Sequence, residues 1–198
     1  MLYDVRIKGL SPLIQHSSLG VDSKHPANIE KAEITRKKGS NRTASDDARI
    51  AELDTLLGFW LDSGNRPTVP AAAIRSCLET AAKKLKQGGQ VREGLTVINT
   101  RLEYDEERYG TDLETLQAST QFRAVVVVQR SRMMRTRPMF GLPWAVTFQV
   151  DTEDDLVDEA QLRQWLDIAG RRIGLGDWRP EKSGEYGRFE VENLTAES

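Results

Sequence analysis

The sequence has little of several residue types that define common classes of protein. Its 198 residues include only one cysteine, Cys77, and two histidines, His16 and His25. A single cysteine excludes a disulfide framework, and so few histidines and cysteines provide no ligand cluster with the spacing of a zinc site. The longest uninterrupted apolar run, 124–128, is far too short to span a membrane, and the first residues lack a signal-peptide layout. We therefore expect a cytoplasmic protein without a membrane contact, a metal or another cofactor.

An excess of one charge is also lacking over the whole chain, because 28 Lys and Arg residues stand against 30 Asp and Glu residues. The distribution of these charges is nevertheless uneven. The stretch 123–137 contains five arginines and no acid, whereas 151–159 contains six acids and no base. Each run alone is typical of solvated surface. Together they also allow a basic and an acidic face on one subunit, which favours a homo-oligomer assembled head to tail.

A glycine-rich stretch, 169–180, is the densest motif that is present. Glycine lets a backbone approach a ligand closely, and arginine suits phosphate. No Gly-Lys-Ser/Thr follows the glycines, and they come after a predicted helix, so a nucleotide-binding P-loop and a dinucleotide fingerprint are both excluded. The stretch predicts contact with a nucleic-acid backbone, although a tight turn with solvated arginines would give the same pattern. The residues expected to make the contact are Arg171, Arg172, Gly174, Gly176 and Arg179.

Two further segments are basic. The stretch 36–43 predicts a mobile loop that grips a polyanion and orders on binding. The stretch 129–143 predicts the tip of a long hairpin between strands at 122–128 and 144–150, with arginines for phosphates and a methionine, Met133 or Met134, as a wedge against bases or a neighbouring subunit. Solvated surface is the alternative for both segments. Their expected nucleic-acid-binding residues are Arg36, Lys37, Lys38, Arg42, Arg130, Arg132, Met133, Arg135 and Arg137.

The order of periodic segments predicts an α+β fold. Strands are predicted at 2–8, 95–104, 122–128, 144–150 and 188–192, and helices at 43–61, 70–86 and 158–169. The segments 15–41 and 105–121 are predicted to be irregular, and the tail from Leu194 to be frayed. Without the first insertion and the hairpin tip, the order is β-α-β-β-α-β, a ferredoxin-like core shared with RNA-recognition motifs. The central strand lacks their aromatic signature, so we do not expect bases to stack on the sheet.

Three stretches of the chain resemble the RAMP superfamily, the repeat-associated proteins that form CRISPR effector backbones. The stretch 66–75, RPTVPAAAIR, is similar to the family's entry into its first helix. The stretch 170–176, GRRIGLG, is similar to its glycine-rich loop, and 188–191, RFEV, to its closing strand. The resemblance implies one RAMP domain over 1–198, with 15–66 as a palm-like or finger-like insertion and 129–143 as a thumb-like hairpin. The short chain resembles compact members from phage and mobile elements.

The resemblance also implies a function in antiviral defence or in a phage. The protein would coat single-stranded nucleic acid, RNA rather than DNA in the first instance. Copies would stack head to tail along the strand, alone or with other effector subunits, and each hairpin would reach over the strand. Contacts with phosphates rather than base edges would make binding sensitive to salt and independent of sequence.

Two other functions stay open at this point. Some relatives cleave RNA, which would require a general base such as His16 or His25, or a metal-binding acid such as Asp22. These are weak catalytic candidates, because no paired carboxylates accompany them, and binding without catalysis is preferred. A structural protein would instead assemble through protein contacts alone, with the acidic 151–159 of one copy docking on the arginines of the next.

Overall fold

The structure, a computed structural model, describes residues 1–37, 41–128 and 131–197, and for 125–128 and 131–133 it describes the backbone. The strands are β1 (Leu2–Gly9), β2 (Leu13–Ile14), β3 (Leu95–Tyr104), β4 (Gln121–Val128), β5 (Ser131–Phe140), β6 (Trp144–Thr152) and β7 (Phe189–Ala196). The helices are α1 (Pro26–Arg36), α2 (Ala44–Gly58), α3 (Ala71–Lys83), α4 (Gly88–Gly94), α5 (Glu106–Tyr109), α6 (Leu113–Ser119) and α7 (Glu159–Ile168). This content, with its antiparallel strand pairs, confirms the predicted α+β class.

The chain divides into two compact units, each of which contains several segments. The first unit comprises Met1–Ile14, Pro67–Asp105 and Phe140–Ser198, and the second comprises Gln15–Arg66 and Glu106–Met139. No helix in the described ranges has both the length and the apolar character needed to cross a membrane.

A four-stranded sheet in the order β3-β6-β1-β7 organises the first unit. All three pairs of neighbouring strands are antiparallel. The helix α3 lies in the chain between β1 and β3, and α7 lies between β6 and β7, so two strand–helix–strand connections build the sheet. Both helices contact the sheet and each other.

The first unit's core follows from the alternation along β1. Tyr3, Val5 and Ile7 are buried, whereas Asp4 and Lys8 are exposed, since successive side chains of a strand point to opposite faces. Helices α3 and α7 contribute apolar faces to this core, and each fully buried large side chain stabilises it by about 1.5–3 kcal/mol. The polar face of the sheet carries ion pairs from Arg6 to Glu103, 2.5 Å apart, and to Glu192.

Two helices and a hairpin organise the second unit. Ala27 of α1 packs against Leu53 and Leu57 of α2 in a small apolar cluster. A capping box begins α2: the Thr43 hydroxyl accepts the Asp46 N–H, and the Asp46 carboxylate accepts the Thr43 N–H. The hairpin pairs β4 with β5 in antiparallel register from Gln121 opposite Pro138 to Val128 opposite Ser131.

Two segments that the sequence predicts to be irregular contain helices. The segment 15–41 includes α1, and 105–121 includes α5 and α6. The first helix has few apolar positions, and only Ala27 is buried, so its periodicity is weak. Its start is nevertheless encoded locally, because His25 caps the helix and Pro26 occupies the first turn.

Two strand predictions also differ from the structure. The arginine-rich stretch from 131 is not an irregular tip but a strand, β5, paired with β4, while β6 belongs to the four-stranded sheet of the first unit. The chain from Leu194 is not frayed, because β7 continues to Ala196 opposite Tyr3. Both stretches are extended because ladder hydrogen bonds with a paired strand satisfy their backbone groups, β4 for the first and β1 for the second.

Candidate nucleic-acid interface

The glycine-rich stretch makes close contacts within the first unit. A π-helical turn, Ala169–Ile173, continues α7 and ends at Gly174, whose φ is +78°. Gly176, with a φ of +77°, lies so close to the Ile14 carbonyl that a Cβ atom would overlap it. The Asp177 N–H donates to the same carbonyl at 2.8 Å. These two glycines are thus needed for internal packing, whether or not the turn also meets a ligand.

The arginines of this stretch have different environments. Arg179 donates to the Glu181 carboxylate at 2.7 and 3.0 Å and to the Gly176 carbonyl at 2.9 Å. Its charge is therefore largely used to hold the turn. Arg171 and Arg172 are exposed on the π-helical turn.

The predicted basic loop consists of residues around the end of α1 and the start of α2. Arg36 is the exposed last residue of α1, and Lys38 lies outside the described residues. Lys37 contacts Asp46 at 2.6 Å, and Arg42 contacts Asp47 at 2.6 Å. The hydrogen bond from Lys37, followed by that from the Thr43 N–H, lowers the pKa of the Asp46 carboxyl to about 2. Lys37 and Arg42 are hence partly neutralised by neighbouring acids.

A hollow of about 370 Å³ in the second unit brings several predicted residues together. We call it the cationic hollow, because three of its side chains are cations and one is a carboxylate. Its polar lining consists of His16, Lys31, Asp54, Arg135 and Arg137. Its apolar lining consists of Gly20, Val21, Leu57 and Gly58.

Asp54 forms the buried floor of the cationic hollow. Its side chain, only 6% exposed, forms an ion pair with Lys31 of α1 and lies 4.0 Å from Arg135 of β5. A buried carboxylate requires such partners, because desolvation of an unpaired charge is costly. The two cations thereby face one space from two different elements.

Close packing brings β5 to the end of α2. A Cβ atom on Gly58 would lie 2.5 Å from Cδ of Pro138, so no larger residue allows this approach. The Asp54 side chain, one helical turn earlier, then faces Arg135. Because Arg135 and Arg137 are two residues apart on β5, their side chains point to the same face of the strand.

The segment 15–17, which is fixed by hydrogen bonds at both ends, places His16 in the hollow. Gln15 is fully buried; its N–H donates to the Pro138 carbonyl at 2.9 Å, and its side-chain carbonyl accepts the Trp60 N–H at 2.9 Å. The Ser17 N–H donates to the Gly58 carbonyl at 3.0 Å. His16 is held between these anchors with its Nε2 atom 3.2 Å from a terminal nitrogen of Arg137.

The hollow contains part of the predicted set and two residues that the sequence analysis missed. Arg135, Arg137 and His16 are brought together. Lys31 was missed because its segment was assigned to a loop. Asp54 was missed, although a carboxylate beside Leu53 and Leu57 on the apolar face of a helix is a detectable signal.

Three members of the predicted hairpin set cannot be placed in the hollow. Arg130 lies outside the described residues, and so do the side chains of Arg132 and Met133, whose backbones belong to β5. Met134, the other candidate wedge, is 45% exposed.

The remaining catalytic candidates have local structural contacts. The Asp22 carboxylate accepts the Lys24 N–H at 2.9 Å, and the ring Nδ1 of His25 accepts the Ala27 N–H at 3.2 Å. Neither residue lines the cationic hollow. Within the described part of the chain, no three His, Cys, Asp or Glu side chains gather in a way that could hold a metal ion.

Comparison with solved structures finds a distant likeness, whereas comparison with sequences does not. No family model matches the sequence, and the curated proteins give no significant match. A chain in the cryo-EM structure of the Type III-B Cmr-beta complex bound to cognate target RNA is similar, with 11% sequence identity and a TM-score of 0.48. The match covers 98% of this chain and 59% of that chain, so this chain spans about three-fifths of its neighbour's length.

Proposed function

We propose that this protein binds single-stranded nucleic acid, with RNA as the first candidate, through the phosphate backbone. The observation that carries the proposal is the cationic hollow, where Arg135 and Arg137 of one strand and Lys31 of a helix converge. Guanidinium groups donate to phosphate oxygens in a planar fork, and an ammonium adds a compact positive charge. Such contacts read the backbone and not the base sequence.

The charges of the hollow favour an anionic ligand. Asp54 balances part of the positive charge, but three cations line the hollow, and the Arg135 side chain remains 32% exposed. Exposed Arg36 of the same unit supplies further positive charge for a strand. Each phosphate contact adds affinity through the release of counterions.

The proposal includes a ferredoxin-like core and membership of the RAMP superfamily. Its support is the strand order β3-β6-β1-β7 with two helical crossovers, together with the three sequence stretches at 66–75, 170–176 and 188–191. The segment 15–66 then corresponds to the palm-like insertion, and the thumb-like hairpin, expected at 129–143, corresponds to β4 paired with β5. Copies assemble head to tail along the strand, as the segregated charges favour.

Binding to a labelled 20-nucleotide RNA, followed by fluorescence anisotropy over a series of salt concentrations, tests this function. We expect the double variant Arg135→Gln/Arg137→Gln to bind at least about tenfold more weakly. The slope of log K against the logarithm of the salt concentration should become shallower by about 1.4, because two phosphate contacts are lost. The matched control is Arg101→Gln/Arg163→Gln, which removes two exposed arginines of the first unit. Equal losses in both pairs, or no binding by the wild type, would contradict the proposal.

Assembly is tested on protein purified without nuclease. Light scattering and the ratio of absorbance at two ultraviolet wavelengths report mass and bound nucleic acid. We expect assemblies that carry RNA and dissociate after nuclease treatment. Oligomers that survive nuclease and high salt equally well would favour the structural protein held by protein contacts alone.

RNA cleavage is a second candidate function, and the position of His16 favours it. Of the three catalytic candidates, only His16 lines the cationic hollow, beside Arg137. A neutral imidazole there could accept a proton from a 2′-hydroxyl at Nε2 once the Arg137 guanidinium, which donates to that atom in this structure, turns to the phosphate. The test is the integrity of bound RNA with wild type and His16→Gln, with His25→Gln as control; intact RNA with every protein would exclude cleavage.

A further inference from the structure

The lining of the cationic hollow is of two chemical kinds, cationic and apolar, which we call its two walls, and this division carries an inference about its ligand. One wall consists of Lys31, Arg135 and Arg137, whose heads suit a phosphate. The other contains Val21, which is 86% exposed, and Leu57, which is buried. A phosphate alone would use only the first wall and would leave the exposed valine uncovered.

We infer that the hollow is a binding site for a nucleoside monophosphate unit. The phosphate lies against Arg135, Arg137 and Lys31, and the ribose and base cover Val21 above Leu57. The volume of about 370 Å³ lies within the range of small-ligand sites, about 300–1,000 Å³. The inference deepens the proposed function and rests on it, since it states which part of a strand enters the hollow.

The backbone around the apolar wall lets a ligand approach Val21 closely. Gly20 has open space at its Cβ position, and Gly58 has none to spare, because Pro138 packs against it. Val21 ends a single 3-10 turn, Ser18–Val21, that Asn28 holds by donating to the carbonyls of Leu19 and Asp22. The valine is thus presented by an ordered turn.

Asp54 acts as a positioning residue in this site. Its carboxylate holds Lys31 and lies near Arg135, so the two cations are separated and directed before a ligand arrives. An arriving phosphate meets preorganised donors and does not have to order two long side chains.

Titrations of ¹⁵N-labelled protein with uridine 5′-monophosphate, inorganic phosphate and uridine, followed by NMR, test the inference. We expect the monophosphate to bind at least about tenfold more tightly than inorganic phosphate, with shifts of the Val21 and Gly58 amide signals, since it alone contacts both walls. Val21→Ser should weaken the monophosphate about fivefold and leave inorganic phosphate unchanged. Arg135→Gln should weaken both.

Leu19→Ser is the matched control, because Leu19 is 37% exposed in the same turn but does not line the hollow. Equal affinities for the monophosphate and inorganic phosphate, equal effects of both Ser variants, or shifts elsewhere would overturn the inference. If the 20-nucleotide RNA still binds with an affinity that depends on Arg135 and Arg137, the proposed function stands without it. If neither uridine monophosphate nor the 20-nucleotide RNA binds, both the inference and the proposed function fail.

Competition identifies the source of the nucleotide. Displacement of uridine monophosphate by the RNA strand assigns the site to one nucleotide of a strand. Simultaneous binding of both ligands assigns it to a free nucleotide, which supports the nucleotide site but separates it from the strand path.

Discussion

Lys31 of α1 and Asp54 of α2 form an ion pair in which the aspartate side chain is 6% exposed and the lysine side chain 21% exposed. The pair joins two helices beside the apolar cluster of the second unit. The same carboxylate lies 4.0 Å from Arg135, so it also connects these helices to the hairpin. The stability of the second unit and the geometry of the cationic hollow therefore depend on one residue.

Asp54→Asn should reduce the free energy of unfolding by about 1–3 kcal/mol, because it removes the charge that compensates the partly buried Lys31. Urea denaturation measures the change. Asp47→Asn is the control, since the Arg42–Asp47 pair is exposed and worth at most about 1 kcal/mol. Equal losses in both variants would show that Asp54 has no special role.

Asp46 should titrate with a midpoint near pH 2, because the Lys37 hydrogen bond and the Thr43 N–H stabilise its carboxylate. Its contribution to stability is complete above the ordinary pKa of 3.8 and disappears as the pH falls through about 2. Carboxyl NMR shifts measure the pKa. Lys37→Met should raise it more than Thr43→Ala, since the Lys37 contact is the largest cause and Thr43→Ala removes only the smaller hydroxyl contact and keeps the backbone N–H; the reverse order would contradict the assignment.

Gly176→Ala should destabilise the first unit by about 2–4 kcal/mol, since it adds a Cβ at positive φ and against the Ile14 carbonyl. Thermal unfolding measures the loss. Gly20→Ala, at a glycine with open space around it, should change stability by less than about 0.5 kcal/mol. A stable Gly176→Ala protein with weakened RNA binding would instead assign the glycine to ligand contact.

Cys77 should be inert towards thiol reagents in the folded protein, because burial raises the pKa of its thiol to about 12. Its Sγ donates to the Gly174 carbonyl at 3.4 Å. Since the unfolded thiol ionises near pH 9, the folded state loses stability as the pH rises above that value. Between pH 9 and 11, wild type should lose stability more steeply than Cys77→Ala; parallel slopes, or rapid labelling without denaturant, would contradict this.

The sequence by itself determined much of the secondary structure. The alternation along 2–8 defined β1 and its buried face, and the cap at Thr43 defined the start of α2. Such signals are local, because the period of side chains along a strand or helix is fixed by backbone geometry. The segment 26–36 shows the limit, since a helix with one buried residue leaves almost no period to detect.

Only the tertiary structure decided which cations converge. Arg135 and Arg137 were predicted from the sequence, but their meeting with Lys31 depends on Gly58 packing against Pro138 and on a buried carboxylate from α2. Lys37, Arg42 and Arg179 have the same charge but pair with acids two to nine residues away in the chain, outside the hollow. A sequence gives the sign of each charge, whereas the distance between charges far apart in the chain, and hence what they bind, is set by packing.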